Sequence, residues 1–157
     1  MKMKPLKIGN LIAEIPVVQG GMGVGISLSG LAGAVASCKG VGIISTAQIG
    51  YREPDWDANP VEANLRAIGT EIARAKEIAG GKGMIGANIM VATRDYEKYV
   101  EAAIRAGADL IIACGPAPHG ERKRDKASSH CFQPEIRPGY LQILGKEVRI
   151  LSGRNRY

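Results

Sequence analysis

With 157 residues, 45% of them hydrophobic, the chain is long enough to bury one core but short of the roughly 250 residues of a complete α/β barrel. Its 21 glycines against one Phe and one Trp favour close α/β packing over an aromatic-rich β sandwich and exclude a stacking platform for nucleic acid. The net charge of +6 sits in the last quarter, since residues 1–113 hold 12 Lys/Arg and 11 Asp/Glu, and residues 114–157 hold nine and four. No aromatic spacing or apolar helical face accompanies that basic tail, which argues against a nucleic-acid or membrane-surface patch.

The chain opens as a short hairpin, residues 6–8 and 11–15 around Gly9-Asn10, leading into a strand at Val17, Val18 and Gln19. Residues 15–38 carry no charge, yet six glycines, a Gln and several serines in that window argue against a membrane span. A glycine-rich loop follows the strand. Ser27 or Ser29 is then placed to cap a helix through Leu31, Ala34 and Val35 to about Cys38, with Gly40 as its stop. The apolar run 41–44 reads as the next strand, ending in Ser45, Thr46 and Ala47 before a long loop with Tyr51, Arg52 and Trp56, expected to cover the rim.

Asn59-Pro60-Val61-Glu62 has the spacing of a capping box with proline at the first helical position, predicting a helix to about Ala79 before Gly80-Gly81. Its apolar stripe is Val61, Leu65, Ile68, Ile72, Ala75 and Ile78. Residues 84–91 form the third strand, with Asn88 inside it. A strand-embedded Asn is costly unless it meets a ligand or partner. Thr93 is the expected cap of a helix buried along Tyr96, Val100, Ala103 and Ile104, ended by Ala106-Gly107, and residues 109–113 are the fourth strand.

Alternating helices and strands with short connections imply parallel β/α units, whose ligands bind at the carboxyl ends of the strands. Those ends are Gln19-Gly20-Gly21-Met22, Ser45-Thr46, Asn88 and whatever follows Ala113. None supplies a charged catalytic group. The glycine loop fits neither G-x-G-x-x-G nor a P-loop, but a Met between glycines can offer backbone amides and a soft side chain to a flat ring. The cysteines 38, 114 and 131 lack metal-ligand spacing and fit reduced cytoplasmic thiols, with Cys38 a small core filler. The two histidines, His119 and His130, fall in the tail without a carboxylate to orient them as general bases.

The blocks IPVVQGGMGVGISLSGLAGAVAS, GVGIISTAQIGYREPDWDANPVEANLRAIGTEIARA and GANIMVATRDYEKYVEAAIRAGADLII, spanning residues 5–113, resemble the nitronate monooxygenase (2-nitropropane dioxygenase-like) family. The resemblance implies an α/β chain that is the N-terminal half of a (β/α)8 TIM barrel binding FMN without a covalent link. It implies that Gly20, Gly21 and Met22 lie against the isoalloxazine, that Asn88 hydrogen-bonds the flavin, and that Ser45 and Thr46 line the same mouth. The implied reaction takes a nitroalkane or nitronate and molecular oxygen to a carbonyl compound and nitrite, in the cytoplasm. A flavin-dependent enoyl reductase is the alternative enzyme, and a non-catalytic β/α binding module the alternative class. The long loop YREPDWDANP favours the nitronate enzyme over the reductase.

The resemblance stops at Ala113. The family's catalytic His and its phosphate-binding glycine loops have no counterpart in residues 114–157, so no catalytic residue is assigned, and four prolines with the basic charges predict an irregular, disordered tail. Read from their second base, codons for residues 114–119 can spell Ala-Gly-Leu-Pro-Leu, as the family does there. A frame shift near Ala113 is therefore expected, and stop codons in the second frame would exclude it. Half a barrel leaves two open parallel edges, so self-association is expected.

Overall fold

The computed structural model describes residues 3–114. The expected tail, with His119, His130, Cys131 and its prolines, lies outside the described residues. The described part is an α/β fold: a parallel three-stranded sheet flanked by helices, plus a small antiparallel hairpin.

The hairpin pairs β1 (Leu6–Ile8) with β2 (Leu11–Ala13), Leu6 opposite Ala13. Its turn needs a left-handed residue and has one, Gly9 at φ 58°. The expected strand at residues 17–19 is reduced to a single parallel bridge between Val18 and Val41. Two backbone hydrogen bonds hold it, Val41 N to Val17 O and Gln19 N to Val41 O, each 2.9 Å. It follows the edge of the sheet without becoming part of it, because the ladder ends at Gln19.

The sheet is β3 (Val41–Ser45), β4 (Met84–Met90) and β5 (Leu110–Cys114), in chain order and fully parallel, with Val41 opposite Met84 and Gly86 opposite Leu110. Alternation along each strand sends its residues to two different cores. Ile44, Ile85, Ala87, Ile89 and Ile111 pack with the helices, whereas Val41, Ile43, Met84 and Leu110 pack with Ile8 and Ala13 of the hairpin. The helices thus cover one face, and the hairpin covers the other at the amino ends of the strands. Ile43, Ile44, Ile85 and Ile89 are fully buried, each worth about 1.5–3 kcal/mol relative to exposure.

Three helices link these segments: α1 (Ser29–Ser37), α2 (Pro60–Ala79) and α3 (Tyr96–Arg105). The buried face of α1 is Ser29, Ala32, Gly33 and Ala36, while Leu31 is 43% exposed. Small residues win because the backbones approach so closely. A Cβ on Gly33 would lie 2.7 Å from Ile78 Cβ of α2, and one on Gly42 of β3 would overlap the Ala32 backbone. Cys38 is exposed at the end of α1, not a core filler.

The helix ends also correct the sequence. Neither serine caps α1 with its side chain; the Ser29 amide instead donates to Glu71 Oε2 of α2 at 2.7 Å, a carboxylate suited to a helix N-terminus. Asn59 and Thr93 make no side-chain cap, and α3 starts from Asp95 in the left-handed region at φ 61°. At the other end of α1 the left-handed residue is Lys39, φ 68°, and not Gly40. Lys39 N reaches Ala36 O at 2.8 Å and Gly40 N reaches Val35 O at 3.2 Å, the two bonds of a Schellman motif. The stop of α2 is as expected, Gly80 at φ 57°.

The side chain of α2 with most consequence is Asn64, which lies outside the expected stripe and is buried. Its Oδ1 accepts from Gly50 N at 2.8 Å and its Nδ2 donates to Tyr99 OH at 2.7 Å, tying the loop after β3 and helix α3 to one point. Burial raises the Tyr99 phenol above its ordinary pKa against the opposing hydrogen bond from Asn64. Asp109 does the same for the sheet's amino end. Its carboxylate accepts from Ile85 N at 2.8 Å and from Lys76 Nζ at 2.9 Å.

Candidate functional site

At the carboxyl ends of the strands, Gln19 ends the edge segment by substituting its side chain for backbone. Gln19 Oε1 accepts from Ile43 N at 3.0 Å, the bond that a further ladder carbonyl would have made. The backbone is then free to leave the sheet at Gly20. The loop that follows folds back on itself around Ser27, which is 2% exposed. Ser27 Oγ donates to Gly20 O at 3.3 Å and accepts from Met22 N at 3.0 Å and from Gln19 Nε2 at 3.2 Å.

Asn88 holds the same loop from the sheet. Its Nδ2 donates to Gly21 O at 2.6 Å, while its own carbonyl O accepts from Thr46 N at 3.1 Å and Thr46 Oγ1 at 2.9 Å. Ser45 N donates to Ser27 O at 2.8 Å. The six residues read from the strand ends are therefore linked: Gly21 and Thr46 through Asn88, and Gly20, Met22 and Ser45 through Ser27. Gly21 is in close packing, since a Cβ there would sit 2.6 Å from Ile43 Cγ2 and 2.8 Å from Asn88 Cβ, whereas one on Gly20 would meet nothing within 4 Å.

Polar capacity at the site is mostly spent within the protein. Thr46 is 3% exposed with its hydroxyl on the Asn88 carbonyl, so it acts as a support rather than a lining group. Asn88 Oδ1 is the exception: it is buried and has no hydrogen-bond partner. Such an acceptor costs about 1–3 kcal/mol unless a donor reaches it. Beside it the loop is apolar and open, with Met22 76%, Ile26 70% and Val24 43% exposed.

The loop after β3 closes on the glycine loop from its other flank. Gly25, at φ 72°, lies so close to Tyr51 that a Cβ would come within 2.8 Å of its Cζ, and Arg52 stacks on the Tyr51 ring at 5.0 Å. Tyr51 thus braces the loop, while Glu53 and Asp55 are occupied by Arg66, whose guanidinium the Asp55 hydrogen bond holds above its ordinary pKa. Among the described residues no three His, Cys, Asp or Glu side chains are grouped to hold a metal ion. Nor, among them, is any helix long and apolar enough to cross a membrane.

The arrangement can therefore present backbone, an acceptor amide and a thioether to a flat ligand. Among the described residues, the hydrogen bonds around the glycine loop involve no imidazole, ammonium or carboxylate group. Sequence reasoning missed Ser27 as the centre of the loop, Glu71 as the cap of α1, and Asn64. A Gln followed by Gly-Gly and then a Ser hints at the first. Nothing in spacing signals Glu71, 42 positions from its partner. No family model matches the chain, and no curated protein matches it.

Proposed function

We propose that residues 5–113 form the N-terminal half of a (β/α)8 barrel of the nitronate monooxygenase type, carrying the wall that receives the ring of FMN. Three features support the barrel reading. The strands lie in chain order, the helices share one face of the sheet, and the hairpin covers the opposite face at the amino ends.

The observation that carries the flavin reading is Asn88. With its Nδ2 committed to Gly21 O, its Oδ1 remains a buried acceptor asking for an N–H donor, beside an open glycine and an exposed methionine. An imide N–H at the edge of a planar ring has that chemistry. When bound, FMN would supply electron transfer between a nitronate and molecular oxygen. In this chain Gly20, Gly21 and Met22 would lie along the ring, Asn88 would accept from its edge, and Ser45 and Thr46 would hold that strand end in place.

The described residues supply no base for abstracting a proton next to a nitro group, so the chain by itself is proposed to bind without turning over. The edge of β5 that is unpaired among the described residues and the outer edge of residues 17–19 are proposed routes of self-association. The test is direct: titrating FMN into the full chain should quench its fluorescence and shift its visible bands, with no nitrite formed from added nitronate. A gene restored to the second frame after Ala113 should yield yellow protein that consumes oxygen and releases nitrite. Colourless, inert protein from that gene refutes the assignment, and reduction of an enoyl thioester by it would favour the reductase.

A further inference from the structure

We infer that Ser27 and Gln19, neither of which touches the ring in the proposed complex, are the positioning residues that set the glycine loop for flavin; the inference rests on the FMN reading. The geometry points to a single half-buried relay. Gln19 takes its register from the sheet through Ile43 N at 3.0 Å, passes it to Ser27 through Nε2 at 3.2 Å, and also donates to Gly20 O. Ser27 hands it on to two backbone groups of the glycine loop, Gly20 O at 3.3 Å and Met22 N at 3.0 Å.

Why a relay is needed follows from the loop's composition. Gly20, Gly21, Gly23 and Gly25 leave the backbone four positions of high conformational freedom within six residues, and two of them adopt positive φ. Main-chain bonds do little to fix residues 20–26, so their order depends on side chains reaching in from buried or half-buried positions. Asn88 fixes the Gly21 carbonyl from one side. Ser27 and Gln19 fix Gly20 and Met22 from the other. Without them the glycines would have to be ordered by the ligand itself, and that entropy would appear as lost affinity.

Two variants of the full chain separate this role from a general structural one. Ser27→Ala removes both loop contacts; Gln19→Glu keeps an acceptor for Ile43 N and removes the donor toward Ser27 and Gly20. Amide hydrogen exchange on the ligand-free proteins gives the first readout. The Met22 amide in Ser27→Ala should exchange about tenfold faster, with the amides of β3 and β4 unchanged, and FMN affinity should fall about tenfold. Ser27→Thr, which restores the hydroxyl, should recover both. Unchanged Met22 exchange in Ser27→Ala overturns the inference whether or not FMN binds. Uniform loss of protection through β3 and β4 in both variants also overturns it, as the mark of mere stability. If the wild-type chain binds no FMN while its Met22 amide still responds to Ser27→Ala, the flavin reading fails and the loop relay alone stands.

Discussion

Gly21→Ala is the sharpest perturbation of the site because the cost can be worked from three distances. The added methyl would lie 2.6 Å from Ile43 Cγ2, 2.8 Å from Asn88 Cβ and 3.3 Å from Ile44 O, against about 3.5–4.0 Å for comfortable carbon contacts. Ile43 is fully buried and Asn88 is anchored by its bond to Gly21 O, so neither neighbour can step aside cheaply. Either the strand ends are overpacked, at about 1–3 kcal/mol, or the loop lifts and leaves the Asn88 amide without its acceptor, at about 1–3 kcal/mol. A cost of about 1–3 kcal/mol by either route should lower the urea midpoint by about 0.7–2 M, at an m-value of about 1.5 kcal/mol/M. Gly20→Ala is the matched control, since its Cβ meets nothing within 4 Å and its φ is not positive; it should stay within about 0.5 kcal/mol of wild type. Denaturation followed by circular dichroism reads both. Equal midpoints for the two variants would refute the claim that Gly21 is required by close approach to β3 and β4.

Lys39→Gly should stabilise the chain by a few tenths to about 1 kcal/mol, because it relieves a left-handed non-glycine at the end of α1 and loses only an exposed ion pair to Glu14; a thermal melt checks it, and a lower midpoint contradicts it. Tyr99 makes stability pH-dependent. Its phenol has a raised pKa when folded, so the stabilisation from keeping it neutral is complete below about pH 10, where the unfolded phenol begins to ionise, and is lost as pH rises through the folded value. Tyr99→Phe should flatten that alkaline limb and cost about 1–3 kcal/mol at neutral pH by leaving Asn64 Nδ2 without its acceptor; denaturation midpoints from pH 7 to pH 11 measure both effects.

Much of the layout was legible because it is local. Short apolar runs mark β3, β4 and β5, 3.6-residue periodicity marks α2 and α3, and Gly80 at the end of α2 is read from the left-handed turn it makes. The grouping of Gly20, Gly21, Met22, Ser45, Thr46 and Asn88 at the carboxyl ends of parallel β/α units was also legible, since it follows from element order. The details that failed are those where a partner far along the chain outbids a local rule. Gln19 stops a strand that its valines would have continued, because Ile43 N is satisfied by a side chain. Glu71 replaces the expected serine cap of α1. Ala32, Gly33 and Ala36 face the core in place of Leu31, because only small residues admit the backbones of α2 and β3 so close.

By itself, then, the sequence determined the order and type of the elements and the short set of small and polar residues at their carboxyl ends, since both depend on neighbours within a few positions. Only the tertiary structure decided what those residues do to one another. It commits the Thr46 hydroxyl and the Asn88 amide nitrogen to the protein's own backbone, and it leaves Asn88 Oδ1 as an acceptor without a donor. Hydrogen-bond capacity is a balance struck among groups up to 67 positions apart, and no local pattern records it.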